Sequence, residues 1–409
     1  MSDANTRVVI VGAGHGGGTA AALLRQYDFG GSIILLGDEP IAPYQRPPLS
    51  KAWLKGDADA DSLALRPLEF YAENNIDLRL GVRVAAIRRS DKVVVLEDGE
   101  EIGYDFLILA TGARARRLNI PGADLDGVLE LRNAADAEAL KAALGPGKRL
   151  AVIGGGYVGL EVAASGRALG AEVTVIELQH RVLARVAAEP LSRFFEDFHR
   201  AKGVKFELGV GVDAIEGQDG KVSGVRLSDG RTIQADLVLV GVGAAPNEEI
   251  ARDAGLECAN GVVVDLEART SDPSIFAIGD LAHRPLPLYN RMFRLESVPN
   301  ALEQAKQAAC AITGQPAPAG ETPWFWSDQY NLKMQIAGLP FEADSILVRG
   351  DPANERFAVF HLKGDVVVAV EAVNAPPEFM AGKQLIASRK PVALEKLANP
   401  AVSMREVAA

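Results

Sequence analysis

Apolar residues in this chain fall into short unbroken runs, and most of these runs end in glycine. Two stretches share one plan. A strand over residues 8–11 leads into Gly12-Ala13-Gly14-His15-Gly16-Gly17, a small-residue helix over 19–27, and a second strand over 32–36 that closes on Gly37-Asp38-Glu39. A strand over 150–153 leads into Gly154-Gly155-Gly156-Tyr157-Val158-Gly159, a helix to about residue 169, and a second strand over 172–176 that closes on Glu177. Wholly apolar strands alternating with helices predict parallel sheets buried on both faces. Further strands over 107–110, 237–240 and 275–278 run into Thr111-Gly112, Gly241-Val242-Gly243 and Gly279-Asp280. Beyond Pro323 the rhythm changes to alternating strands over 333–337, 345–349, 356–362 and 366–373, with Lys363-Gly364-Asp365 as a hairpin turn and a helix over 377–389.

The predicted fold class is α/β: two Rossmann-like dinucleotide-binding domains followed by an α+β domain. The first domain is split, taking 1–117 and 245–322. The second, at 118–244, is inserted in it, and the third covers 323–409. A chain of 409 residues is long enough for two to three cores. Its net charge of −11 argues against nucleic acid as the main partner. No run is long and apolar enough to span a bilayer, and residues 1–7 lack a signal-peptide pattern. Only two cysteines occur, Cys258 and Cys310, with no CxxC pair, which fits a reducing compartment and points to the cytoplasm. The histidines show no ligand spacing, so no metal site is read.

The two glycine turns carry the candidate chemistry. Each is a GxGxxG that follows a strand and opens a helix, and that context gives the motif its weight. Gly12 and Gly154 make the tight turn, Gly14 and Gly156 let the backbone approach a pyrophosphate, and Gly17 and Gly159 pack helix on strand. Asp38, or Glu39 beside it, and Glu177 stand where an acid binds ribose hydroxyls. A carboxylate at Glu177 repels a 2′-phosphate and favours NADH over NADPH, with Arg181 or Arg185 nearby to soften that preference. Each motif also has a plainer reading, as packing glycines or a surface acid.

The chain resembles a known family over nearly its whole length. The run Thr270-Ser271-Asp272-Pro273-Ser274-Ile275-Phe276-Ala277-Ile278-Gly279-Asp280 looks like the second flavin signature of two-dinucleotide-domain, glutathione-reductase-like flavoproteins. Arg46-Pro47-Pro48-Leu49-Ser50-Lys51, Glu296-Ser297-Val298-Pro299-Asn300-Ala301 and Trp324-Phe325-Trp326-Ser327-Asp328 are narrower. They resemble the NADH-dependent ferredoxin reductases of bacterial oxygenase systems, the putidaredoxin reductase and biphenyl dioxygenase reductase type. The resemblance implies hydride transfer from NADH to N5 of FAD, then single-electron transfer to a [2Fe–2S] ferredoxin that feeds a cytochrome monooxygenase or a ring-hydroxylating dioxygenase. It implies an FAD site of Gly12, Gly14, His15, Gly17, Asp38, Glu39, Arg46, Lys51, Val84, Ala110, Thr111, Gly112, Arg132, Gly279, Asp280, Ser297, Val298 and Trp326. The NAD site it implies holds Gly154, Gly155, Gly156, Tyr157, Val158, Gly159, Glu161, Glu177, Arg185, Gly241, Val242 and Gly243.

Within that likeness Lys51 and Glu161 are expected to pair near the flavin, with Trp326 against the flavin and nicotinamide. Pro299 is expected in the first turn of a helix whose positive end faces the flavin. Relatives of the glutathione-reductase kind carry a redox disulfide early in the FAD domain. Here residues 41–51 contain no cysteine, so electrons are expected to leave from the flavin itself. An acidic ferredoxin docking transiently on an acidic reductase needs a local basic patch, for which Arg66, Arg294, Lys306, Arg114, Arg116 and Arg117 are candidates. Another reductase of the same fold, serving rubredoxin, a quinone or monodehydroascorbate, is the nearest alternative. A flavin-containing signalling protein is the other. The expected state is a monomer or weak dimer.

Overall fold

The computed structural model describes residues 5–408 and falls into two compact units. One takes the chain up to Gln45, Ala60–Arg114 and Ala245–Glu321. The other takes Arg46–Asp59, Ala115–Ala244 and Thr322–Ala409.

The first unit is built on a five-stranded parallel sheet in the order Ile275–Ala277, Phe106–Leu109, Arg7–Val11, Ser32–Gly37, Ile76–Leu80. The chain runs outward in one direction from Arg7–Val11 and then returns to its other side. That reversal opens a crevice at the carboxyl ends of the central strands, where open α/β sheets bind ligands. Val8, Val9 and Ile10 are fully enclosed, as the unbroken apolar run requires. The helix His15–Gln26 buries Gly16, Gly17, Gly18, Ala20 and Ala21. Its small side chains let the Ala-rich helix Val298–Thr313 pack closely in a core shared with Ile33, Ile108 and Phe276. Two small three-stranded sheets complete the unit. One, Val84–Arg88, Val93–Leu96 and Glu101–Gly103, is a meander whose alternating pattern went unread in the sequence.

The second unit repeats the design with strands Lys205–Leu208, Glu172–Glu177, Arg149–Ile153, Leu237–Val240 and Val128–Leu129. It adds a five-stranded antiparallel sheet, Trp324–Gln329, Leu332–Gly338, Val366–Val373, Arg356–Lys363 and Ser345–Asp351, covered by the helix Pro376–Ser388. Gly364 takes φ +61 in the hairpin turn expected there. One apolar cluster runs from Leu150, Val152 and Leu160 through Phe195 to Met334, Phe357 and Val373, so the two sheets of this unit share a core. Glu371 sits at the join, 1% exposed. Its carboxylate accepts the Ala188 N–H at 2.8 Å, at the start of the helix Glu189–Ala201, and lies 2.9 Å from His361 Nε2.

Candidate dinucleotide sites and a buried ion pair

In the first unit Gly12 has φ +109, and a Cβ there would lie 2.2 Å from the Ala110 carbonyl oxygen. A Cβ on Gly17 would lie 1.9 Å from the Gly12 carbonyl oxygen. Both positions therefore require glycine, for turn and for packing respectively. Gly14 caps the helix His15–Gln26 with no side-chain hydrogen bond, and its first turn holds no acid. The positive end of this helix thus carries no acid of its own and suits an anion. Asp38 is exposed beside Arg83, at 3.4 Å, whereas Glu39 accepts the Tyr44 hydroxyl at 2.7 Å. Thr111 and Asn247 exchange hydrogen bonds of 2.9 and 2.8 Å, and Asn247 N–H reaches Gly112 O at 3.0 Å. Gly279, at φ +74, donates to Gln304 Oε1, and Arg294 donates to the Asp280 carbonyl. Ser297 caps the helix that follows through its hydroxyl, with Pro299 in the first turn as expected. Val84 points into the core, so only its backbone is available to a ligand.

The second unit shows the same device more fully. Gly154 has φ +111 with Gly241 O 2.4 Å from a built Cβ, and Gly159 meets Gly154 O at 2.2 Å. A Cβ on Gly156 would meet nothing within 4 Å among the described residues. Its missing side chain is thus not required by the protein's own packing; it leaves room for a ligand. Glu177 Oε2 accepts the Gly155 N–H at 2.7 Å and Oε1 the Gln179 N–H at 2.9 Å, which fixes the acid at the mouth of the turn. The first unit cannot copy this arrangement. Gly37 stands at the matching strand position, where a Cβ would press on Ala13 Cβ at 2.7 Å, and the acids come one and two residues later. Arg185 lies beside Gly243, within 3.9 Å of its Cβ direction, and is exposed. Arg181 is instead turned inward onto Ala184 O, Ala187 O and Ser192, so it is not available to soften nucleotide choice. Both glycine turns fit a dinucleotide.

Lys51 and Glu161 meet as the sequence suggested, with Nζ 2.7 Å from Oε2, and side-chain exposures of 18% and 7%. Lys51 ends the 3-10 turn Pro47–Ser50, and Glu161 lies one turn into the helix Tyr157–Ala168 that opens at the second glycine motif. Ser165, four residues on, donates to Ser50 O at 2.7 Å, so one helix face grips this segment twice. Ser50 Oγ also donates to Glu161, and Ser327 Oγ donates to its other oxygen at 2.6 Å. The roles of Ser50, Ser165 and Ser327 escaped the sequence reading, because a serine inside a motif does not announce its partner. Arg46 donates to the Arg132 carbonyl at 2.8 Å, joining two more of the expected residues. Trp326 is half-buried, with its ring centroid 5.6 Å from that of Trp324, on the opposite strand face from Ser327.

Two expectations about the basic patch change. Arg294 has a side chain only 7% exposed and pairs with Glu296, so it is not a docking residue. Arg114 is already bound by Glu249 at 2.6 Å. Arg66, Lys306, Arg116 and Arg117 are exposed, Arg117 with a looser pairing to Glu130 at 3.6 Å. Cys310 is buried in a helix, and burial raises the Cys258 thiol above its ordinary value, as structural thiols require.

Two Rossmann-like dinucleotide folds in one chain, with an ion pair one helical turn from the second glycine motif, define a two-dinucleotide oxidoreductase. Residues 6–305 match the family described as pyridine nucleotide-disulphide oxidoreductase, and 324–408 match the reductase C-terminal domain. The chain belongs to the pyridine nucleotide-disulphide oxidoreductase family. It is 55% identical to a probable ferredoxin reductase of Castellaniella defragrans over 99% of this chain and 100% of that protein. It is 44% identical to a putidaredoxin reductase of Pseudomonas putida, covering 100% and 98% of the two chains. A solved covalent complex of putidaredoxin reductase with putidaredoxin superposes with a TM-score of 0.97 at 44% identity, over 99% of this chain and 98% of that one.

Proposed function

We propose that this protein is an NADH-dependent ferredoxin reductase that binds FAD in the first glycine turn and NADH in the second. The observation that carries the reading is an ion pair, Lys51–Glu161, in a disulphide-oxidoreductase framework whose residues 41–51 hold no thiol. Bound FAD supplies acceptance of hydride from NADH and release of electrons one at a time. The residues of the chain do the rest. Backbone amides at Gly14 and Gly156 neutralise the pyrophosphates, and Glu177 accepts from the nicotinamide nucleotide's ribose hydroxyls. Lys51, held by Glu161, presents one positive charge where negative charge develops on reduction. The helix Val298–Thr313, capped by Ser297, adds its positive end, and Trp326 gives an aromatic surface.

Without a dithiol, the electron acceptor must reach the flavin directly. A small [2Fe–2S] ferredoxin of an oxygenase system is that acceptor, docking through Arg66, Lys306, Arg116 and Arg117 in the cytoplasm. The test is transfer to a panel of [2Fe–2S] ferredoxins, rubredoxin and quinones. Fast reduction of a ferredoxin with slow reduction of the others supports the reading. A preference for rubredoxin or quinone overturns the choice of acceptor.

A further inference from the structure

The ion pair does not end at Glu161. A buried chain of side chains continues from it through the antiparallel sheet: Ser327 Oγ to Glu161 Oε1 at 2.6 Å, Gln329 Nε2 to Ser327 Oγ at 3.1 Å, and His199 Nε2 to Gln329 Oε1 at 2.8 Å. Ser327, Gln329 and His199 are each at most 1% exposed. Chemistry fixes the direction of every link. A carboxylate only accepts, so the Ser327 hydroxyl spends its proton on Glu161. Ser327 must then accept, so Gln329 presents its NH2 group. That leaves the Gln329 carbonyl for His199, which must donate through Nε2–H. The other ring nitrogen, Nδ1, is buried and has no hydrogen-bond partner among the described residues, which agrees with a neutral ring. Burial also lowers the His199 pKa to about 4.

We propose that Ser327, Gln329 and His199 are positioning residues for the Lys51–Glu161 pair, a one-way run of donors that fixes the carboxylate and, through it, the Lys51 ammonium. Chains of this kind polarise each member towards the charged end and rigidify the core they cross. Ser327 and Gln329 share a strand face because side chains alternate, and His199 comes from the last turn of the helix Glu189–Ala201. Ser327 and Gln329 of the antiparallel sheet, with His199, therefore contribute to the reaction through the carboxylate, without themselves touching the reacting atoms. The inference rests on the role proposed for Lys51.

The test is a double-mutant cycle on the FAD-loaded enzyme, read by stopped-flow flavin reduction at saturating NADH and by the flavin midpoint potential. Ser327→Ala is expected to slow reduction roughly tenfold, of the order of 1.4 kcal/mol, and to shift the potential, with NADH affinity within twofold. Ser327→Thr, which keeps the hydroxyl, is expected to restore most of the rate. In a Lys51→Met background Ser327→Ala should have little further effect, because both act through one group. Full additivity, or a Ser327→Ala enzyme with unchanged rate and potential, overturns the chain. A Lys51→Met enzyme that is itself unaltered overturns the role of Lys51 instead. Nitrogen-15 spectra of His199 should show the Nε2–H tautomer; an Nδ1–H ring would contradict the direction of the links whatever the kinetics.

Discussion

At the scale of single residues, the two glycine turns separate what the fold needs from what a ligand needs. Gly159 touches backbone that cannot move away, whereas Gly156 faces open space. Gly159→Ala is therefore expected to destabilise the protein by about 2 kcal/mol or more, seen in urea unfolding. Gly156→Ala should keep the wild-type unfolding midpoint and weaken NADH binding by roughly tenfold, about 1.4 kcal/mol, in a titration. A matched loss of stability in both variants would contradict this division. Both positions were legible in the sequence, since the GxGxxG spacing and its flanking strand and helix are local signals. The hydroxyl partners of Glu161 and the groups behind them were not. Ser50, Ser327 and Gln329 lie over a hundred residues from it or beyond it in a chain of contacts, and no local pattern encodes such meetings.

At the scale of elements, the long apolar strands were read within a residue or so of where they lie, because burial on both faces leaves an unmistakable run. The helix starting at His15 begins earlier than the sequence suggested, since glycines 16 to 18 look like a loop but serve close helix packing. The small antiparallel sheets of residues 84–103 and 212–234 were missed, being short and only half-covered. His199 is held neutral by burial, with its pKa lowered to about 4, so the unfolded chain binds the extra proton first. Stability is expected to be full above about pH 6.5 and to fall as pH drops towards 4, by about 3 kcal/mol from this group. His199→Gln should flatten that part of the urea-derived stability profile, and an unchanged slope would contradict the assignment. Glu371 ties the start of the helix Glu189–Ala201 to the antiparallel sheet. Glu371→Leu leaves the Ala188 N–H and His361 without their acceptor, and is expected to cost about 2–4 kcal/mol in the same measurement.

At the scale of the whole molecule, the sequence already indicated two dinucleotide folds and a third sheet, because each repeats a pattern along the chain. Association of the antiparallel sheet with the second nucleotide fold in one compact unit was not foreseen. It follows from the shared core around Phe195, Met334 and Phe357, residues that read singly as ordinary apolar positions. The net charge of −11 sets a condition on the partner. Encounter with an acidic ferredoxin should depend on exposed cations, such as Arg116 and Arg117, the latter 3.6 Å from Glu130. Arg116→Glu combined with Arg117→Glu is expected to raise the KM for ferredoxin several-fold with little change in flavin reduction by NADH, and salt should narrow the difference between the two enzymes. On the function proposed, electrons enter from NADH and leave singly, with no thiol between. The most direct measurement is anaerobic reduction of the FAD-bound protein by one equivalent of NADH, followed by rapid mixing with oxidised [2Fe–2S] ferredoxin. The account predicts prompt flavin bleaching and then two ferredoxins reduced per flavin, unaffected by prior alkylation of Cys258 and Cys310. Protein that binds no flavin, or bleached flavin that passes no electron to any ferredoxin, would contradict it.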